Sequence, residues 1–332
     1  MPDCCRIVNK AISFTLLAAC GLLAGVVLSA CTAFKPAQIP DVVINNANVG
    51  GSIVTFNAAS TQLASAGWDG EVQLWNLPDG KPLRHWQAHA GTVNGVAFLH
   101  HDQRILTGGY DGELAEWDAR GKVLRRVPAG SPITAMATDE QDNIVITGHA
   151  DGAVRIWRLD TLQRLNDYTV HNGAVRAVAY LHGQHRIASS GTDTRVFLWR
   201  AVDESPVALP SPSSDSRALQ FSPDGQWLIG SGWFRLFRWN VASRELTTLS
   251  TEHNGIIKSI QYSPDGRYLA SISRQTDSSI YFLDPITGQV LRRFARHALC
   301  GGWIALSPDE KYIATTSDDA SVRIWRLGNS PL

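Results

Sequence analysis

The sequence predicts an all-β chain built from seven copies of one unit, and three observations carry that expectation. Among 332 residues there are eleven Trp and 28 Gly against two Met, a composition that suits many short strands joined by tight turns. Trp returns at a spacing near forty residues along the body of the chain, and a fixed period on that scale marks a repeat architecture. Apolar residues make up 44% and charged residues 18%, which excludes wholesale disorder. Charge is balanced, with 30 Lys plus Arg against 30 Asp plus Glu. Without a basic surplus, a general nucleic-acid binder is not expected.

In chain order the first element is a leader. Residues 1–10 carry Arg6 and Lys10 with one acid, Asp3, and residues 11–30 run without a charge. A basic start, an apolar run and small residues at its end form a secretory signal. The run closes on Leu28-Ser29-Ala30-Cys31, which resembles the lipobox of bacterial lipoproteins. The resemblance implies a signal peptide over residues 1–30, lipidation at Cys31, and a tether over 31–40. A second match, Leu17-Ala18-Ala19-Cys20, would leave residues 20–30 on the mature chain, so Cys31 is preferred to Cys20. An uncleaved spanning helix is the alternative, because about twenty apolar residues just cross a bilayer. Thr32 stands where lipoproteins of the inner membrane carry Asp, which by resemblance implies the outer membrane, facing the periplasm. Several acyl chains anchor stably where one binds marginally. Residues 32–39 reach at most about 28 Å, so the folded body is expected close to the bilayer. Four of the five Cys fall within the first 31 residues. Cys300 alone remains in the body and is expected to be a buried, inert thiol.

The repeat follows. Residues 63–75 (LASAGWDGEVQLW), 105–117 (ILTGGYDGELAEW), 145–157 (VITGHADGAVRIW), 187–199 (IASSGTDTRVFLW) and 313–325 (IATTSDDASVRIW) share one pattern. Each is an apolar strand ending in Ser or Thr, a turn with Asp, and alternating residues up to Trp. The closing positions are Trp75, Trp117, Trp157, Trp199, Trp239, Leu283 and Trp325, at intervals of 42, 40, 42, 40, 44 and 42. The pattern resembles the WD-repeat (tryptophan–aspartate) family of β-propellers, in which each repeat is a four-stranded blade. The resemblance implies an all-β, seven-bladed β-propeller of four-stranded antiparallel blades over residues 41–328. Ser222-Pro223-Asp224-Gly225, Ser263-Pro264-Asp265-Gly266 and Ser307-Pro308-Asp309-Glu310 fit its inner turns, Pro presetting φ and Asp closing the turn. Two features depart from the family: only Trp117-Asp118 keeps the naming dipeptide, and no Gly-His pair precedes a blade. After Trp325 only seven residues remain, too few for an outer strand. Residues 41–46 (DVVINN) have no partner of their own. This N-terminal strand is therefore expected to complete the last blade and close the ring, removing exposed sheet edges.

Recurring Ser/Thr, His, Asp and Trp resemble the inventory of a hydrolase triad, but a catalytic triad occurs once and this set recurs. His89, Thr107, Asp111 and Trp117 make one set; His171, Ser189, Asp193 and Trp199 a second; His297, Thr315, Asp319 and Trp325 a third. In WD-repeat proteins such sets are structural networks that satisfy buried polar groups within a blade. Ala47 and Ala129 occupy the His slot in the first and third blades, and Leu283 the Trp slot in the sixth. The fifth has Pro212 in the His slot and Trp233 in the Asp slot. There is no HExxH, nucleophile elbow, phosphate-cradling glycine loop or paired-Cys site. No enzyme activity, cofactor or metal is expected, and His100-His101 and His182/His185 are taken as solvated turn residues.

By the same resemblance, a protein or peptide partner binds the face that carries the His-bearing and Asp-bearing loops. Before the turn Asp stand Trp68, Tyr110, Ala150, Thr192, Thr276 and Asp318. Five positions after the His slot stand Ser52, Asn94, Thr134, Arg176, Arg217, Lys258 and Gly302. Aromatic Trp68 and Tyr110 belong to neighbouring blades, and cationic Arg176, Arg217 and Lys258 to three consecutive ones, with Trp233 placed beside them. An apolar sector opposite a basic one suits an extended segment with a hydrophobic anchor and acidic residues. The expected function is a membrane-anchored, non-enzymatic interaction scaffold of the cell envelope with a monomeric propeller. An enzyme or small-ligand binder using the central channel, or a subunit of an envelope assembly complex, is the alternative.

Overall fold

The computed structural model describes residues 37–328 except 49, 51–52, 100–101, 202–203 and 276. The leader, Cys20 and Cys31 lie outside the described residues, as do Ser52, His100, His101 and Thr276.

Seven four-stranded antiparallel sheets follow one another along the chain. Blade 1 spans residues 53–87, blade 2 93–128, blade 3 133–169, blade 4 175–208, blade 5 219–250, blade 6 256–294 and blade 7 301–326. Burial explains the order of strands within a blade. The second strand of blade 3, Ile144–His149, is buried along its whole length, because sheets pack on both of its faces. A continuous apolar run is what such a strand requires. The outer strand of blade 2, Val123–Pro128, is mostly exposed, and Arg125 and Arg126 break its apolar character. They are not free edge charges: Arg125 pairs with buried Glu116, and Arg126 pairs with Glu113 and lies over the Trp117 ring.

The apolar core lies between blades. One cluster joins Ala64, Val72 and Leu74 of blade 1 to Val96, Ile105 and Trp117 of blade 2. Another joins Ile146 and Ile156 of blade 3 to Val178, Ile187 and Trp199 of blade 4. Burying one such large side chain stabilises by about 1.5–3 kcal/mol, so each blade is held chiefly by its neighbours.

The ring closes as the unpartnered N-terminal segment requires. Strand Val42–Ile44 pairs antiparallel with Val322–Arg326, in the register Val42↔Ile324, Val43↔Arg323 and Ile44↔Val322. Asp41 adds two bonds, its N–H to the Ile324 carbonyl at 2.8 Å and its carboxylate accepting from the Arg326 N–H at 2.7 Å. The fastening starts earlier than the expected tether allows. The Gln38 N–H donates to the Arg293 carbonyl and the Gln38 carbonyl accepts from Ala295, so Gln38 belongs to the folded body. Cys300 is half-buried rather than buried.

Candidate functional site

The recurring polar sets sit within blades and differ from one blade to the next. Blade 2 holds the complete one. His89 Nδ1 lies 2.9 Å from the Asp111 carboxylate and Nε2 2.7 Å from Thr107 Oγ1, while Trp117 Nε1 donates to Thr107 Oγ1 at 2.9 Å. In blade 4, His171 meets Asp193 and Ser189, both at 2.9 Å. Contrary to expectation, Trp199 Nε1 has no hydrogen-bond partner there. Its fully buried ring is placed by packing, edge-on to Tyr168 at 5.7 Å. Blade 7 departs as well. His297 Nε2 lies 2.7 Å from Thr315 Oγ1 and Nδ1 3.5 Å from the Asp319 carboxylate, but Trp325 Nε1 donates to the Gln38 carbonyl at 3.0 Å instead of to Thr315. The closing segment brings a backbone acceptor to that indole.

Two blades that lack a His in the expected slot find substitutes. In blade 1 the partner is Asn48 rather than Ala47: Ser65 Oγ donates to Asn48 Oδ1 at 2.6 Å and receives Trp75 Nε1 at 2.9 Å. In blade 3 the imidazole comes from His149, with Nε2 2.7 Å from Thr147 Oγ1, which also receives Trp157 Nε1 at 2.8 Å. His149 occupies the strand position of Gly109 and Gly191. A Cβ added at Gly109 would lie 2.3 Å from His89 Nδ1, and one at Gly191 2.4 Å from His171 Nδ1. One volume thus takes an imidazole either from the loop, beside Gly, or from the strand, facing Ala129.

Burial pulls His89, His171, His253 and His297 below the ordinary imidazole range, and His149 down to about 4. These imidazoles are neutral near pH 7. In His89 and His149 both ring nitrogens are engaged. The sets stitch loops together.

The residues of the loop face converge at the mouth of the central channel. In four blades the pairing between inner and second strands slips at the same place: Val93/Gly95, Ile133/Ala135, Val175/Ala177 and Ile257/Ser259. The residues passed over are Asn94, Thr134, Arg176 and Lys258. Such a bulge re-aims a side chain, and all four line a cavity of about 170 Å³. Trp68, Tyr110, Arg176, Arg217 and Lys258 come together at its opening, and Trp68 and Tyr110 are about half exposed.

Trp233 does not join them. It bridges to Ile256 and packs on Phe234 at 5.6 Å, because blade 5 has no Asp-bearing turn to hold it toward the axis. Arg274 takes a place that was assigned to Thr276. The pairing Ile256↔Arg274 puts Arg274 at the strand end that Tyr110 occupies in blade 2. The 44-residue interval before Leu283 was the trace of the two extra residues in that loop.

Charge at the mouth is unbalanced. Arg176 and Arg217 share Asp215, at 3.4 and 3.5 Å, and Arg274 pairs with Asp318 at 2.6 Å. Lys258 lies 5.8 Å from the Trp303 ring centroid, with no carboxylate in ion-pair range among the described residues. Burial, then the neighbouring Arg217, Arg274 and Arg176, push its ammonium down to about 8. Four cations therefore face two carboxylates. Burial also lowers Arg217.

Comparison with known proteins agrees with this geometry. The family described as WD domain, G-beta repeat (WD40) matches residues 49–76, 80–118, 121–158, 162–200, 243–284 and 288–326. The chain belongs to the WD40 family. The matches pass over residues 201–242, which hold most of blade 5. Similar curated proteins include cilia- and flagella-associated protein 52 of Sus scrofa, 25% identical over 66% of this chain and 37% of that protein. DDB1- and CUL4-associated factor 13 of Danio rerio is 23% identical over 84% of this chain and 65% of its own length. Apoptotic protease-activating factor 1 of Homo sapiens is 26% identical over 64% and 18%. The chain spans less than two thirds of each of these relatives. WD40 propellers are typically protein-interaction scaffolds and generally non-catalytic.

Proposed function

We propose that this WD40 propeller is a membrane-anchored, non-enzymatic scaffold of the bacterial cell envelope that holds an extended protein segment at the mouth of its channel. The carrying observation is the asymmetry of that mouth. Trp68 and Tyr110 offer exposed aromatic surface, while Arg176, Arg217, Lys258 and Arg274 outnumber Asp215 and Asp318. An apolar side chain on the aromatic pair, with an acidic side chain reaching toward Lys258, satisfies both halves. The non-enzymatic reading rests on imidazoles and carboxylates that are bonded within blades.

The anchor is assigned to Cys31 on the leader motif, with outer-membrane placement from Thr32. Gln38 meets the propeller beside Arg326, its side-chain amide donating to the Arg326 carbonyl at 3.0 Å. From Cys31 to Gln38 the chain reaches at most about 25 Å. A lipid at Cys31 would therefore keep the folded body close to the bilayer.

The combined variant Trp68→Ala, Tyr110→Ala, Arg176→Ala tests the binding face. Crosslinking in cells followed by mass spectrometry is expected to lose partners that the wild type captures, and undiminished capture would overturn the assignment. Cys31→Ser is expected to abolish palmitate labelling and membrane association, whereas Cys20→Ser leaves both intact.

A further inference from the structure

On the face opposite the channel mouth, a second cluster spans blades 3 and 4. The sequence treats His182 and His185 as unrelated solvated residues of one turn. Ring packing instead sets them against Asp139, the last residue of the neighbouring blade's inner strand, and Asp142 in the turn after it. His182 Nδ1 lies 3.2 Å from Asp139 Oδ2 and 3.2 Å from Asp142 Oδ2. His185 Nδ1 lies 3.3 Å from Asp142 Oδ2. The Tyr180 hydroxyl donates to Asp142 Oδ2 at 2.7 Å and sits 2.8 Å from His185 Nδ1.

The three donor atoms of Asp139, Asp142 and His182 lie within 4.8 Å of one another. Their spacing is informative. Both His182 contacts lie at the long end of the range for N–H···O bonds, about 2.7–3.2 Å. Ligands held about 2.0–2.1 Å from a tetrahedral zinc ion are separated by about 3.3 Å. Burial differs across the cluster in the sense a metal site needs. The Asp139 and Asp142 side chains are 16% and 13% exposed while His182 is 49% exposed, so the carboxylates sit inside and the open side faces water. The Tyr180 hydroxyl and the Gly183 N–H both donate to Asp142 Oδ2 and hold it in place beside His182. The other group of this kind among the described residues, His89 with Asp111 and Glu113, is closed to metal because both His89 nitrogens are already bonded.

We propose that Asp139, Asp142 and His182 form a binding site for a divalent first-row transition metal, zinc being the best match, which clips blade 3 to blade 4. One imidazole with two carboxylates suits this class of ion, and three protein ligands leave a position for water. Tyr180 and His185 are positioning residues: by bonding Asp142 they fix its orientation, as outer partners of metal ligands do. A protonated His182 bridging the two acids is the competing occupant.

The test uses the full chain, purified in detergent without a polyhistidine tag and stripped of metal. Titration with Co²⁺ at pH 7.5 is expected to give visible d–d absorption that one equivalent of Zn²⁺ removes. Zn²⁺ is also expected to raise Tm. His182→Gln and Asp139→Asn should lose the absorption, and Tyr180→Phe should weaken Zn²⁺ binding by at least about tenfold. His182→Lys separates the two occupants, since it keeps a positive charge between the acids and should keep the apo stability while losing the metal. A wild-type chain without Co²⁺ absorption, or a His182→Gln chain that binds Zn²⁺ as tightly as wild type, would overturn the proposal.

Discussion

Blades 2 and 5 occupy equivalent places in the ring and are held by different means. Blade 2 has a seven-residue inner strand, Val93–Leu99, and a complete network from Asp111 through His89 and Thr107 to Trp117. Blade 5 has a three-residue inner strand, Leu219–Phe221, with Pro212 and Trp233 where blade 2 has His89 and Asp111. Trp239 is nevertheless fully buried, more so than Trp117. It packs with Phe237, Leu219, Phe221 and Val241 against blade 4, and its indole donates to the Pro210 carbonyl at 2.9 Å. Serines do the loop stitching there: Ser190 Oγ donates to the Ser216 carbonyl at 2.7 Å, and Ser231 Oγ accepts from the Ala218 N–H at 3.0 Å. Apolar burial between sheets places a blade. The imidazole network is a local tie between two loops and can be replaced.

The comparison is broken most directly at the indoles. Trp117→Ala and Trp239→Ala should each destabilise by about 3–5 kcal/mol in urea unfolding, despite the missing network in blade 5. A loss from Trp239→Ala much smaller than from Trp117→Ala would show that blade 5 is not held by packing. Next comes Thr107→Val, which keeps the shape but orphans His89 Nε2 and Trp117 Nε1 at about 1–3 kcal/mol per group. Its counterpart Trp239→Phe removes one bond to Pro210 and should cost about 1 kcal/mol through that bond.

Acid separates the two blades by chemistry rather than by mutation. The imidazoles of His89, His149, His171, His253 and His297 are depressed in the folded chain by burial. Below about pH 6.5 the unfolded chain, with ordinary imidazoles, binds more protons, so stability falls as pH drops. For His149 the loss runs from about 6.5 down to about 4. Hydrogen-exchange protection factors between pH 7 and 5 should fall first in blades 2, 3, 4, 6 and 7, which carry such an imidazole, and least in blades 1 and 5, where none takes the slot. A uniform fall would mean that the networks do not set local stability. The smallest effects lie at two cation–π pairs. Arg126 lies 5.3 Å from the Trp117 ring centroid and Arg238 3.8 Å from that of Trp227. Arg126→Gln and Arg238→Gln should each cost about 0.5–1 kcal/mol through the lost cation–π contact, measurable as a small shift in the urea midpoint.

Residue order alone carries everything that recurs at the blade period. Seven closing positions, the strand that completes the last blade, and the convergence of Trp68, Tyr110, Arg176, Arg217 and Lys258 all follow from fixed offsets along the chain. A constant offset in a repeated unit becomes a constant direction in space. Where the offset changes, the reading slips: two extra residues moved Arg274 into the place given to Thr276, and one residue separated Asn48 from Ala47. His149 was visible as a His where sister blades have Gly, but its role required the shared volume. Contacts between elements distant in sequence belong to the packed ring. Gln38 accepts the Trp325 indole across most of the chain, and Asp142 meets Tyr180 across a blade boundary. The spacing of residues within one blade is set by covalent geometry and strand register. The meeting of Asp139, Asp142 and His182 is set by how tightly two sheets press together, and only the folded ring brings them to one point.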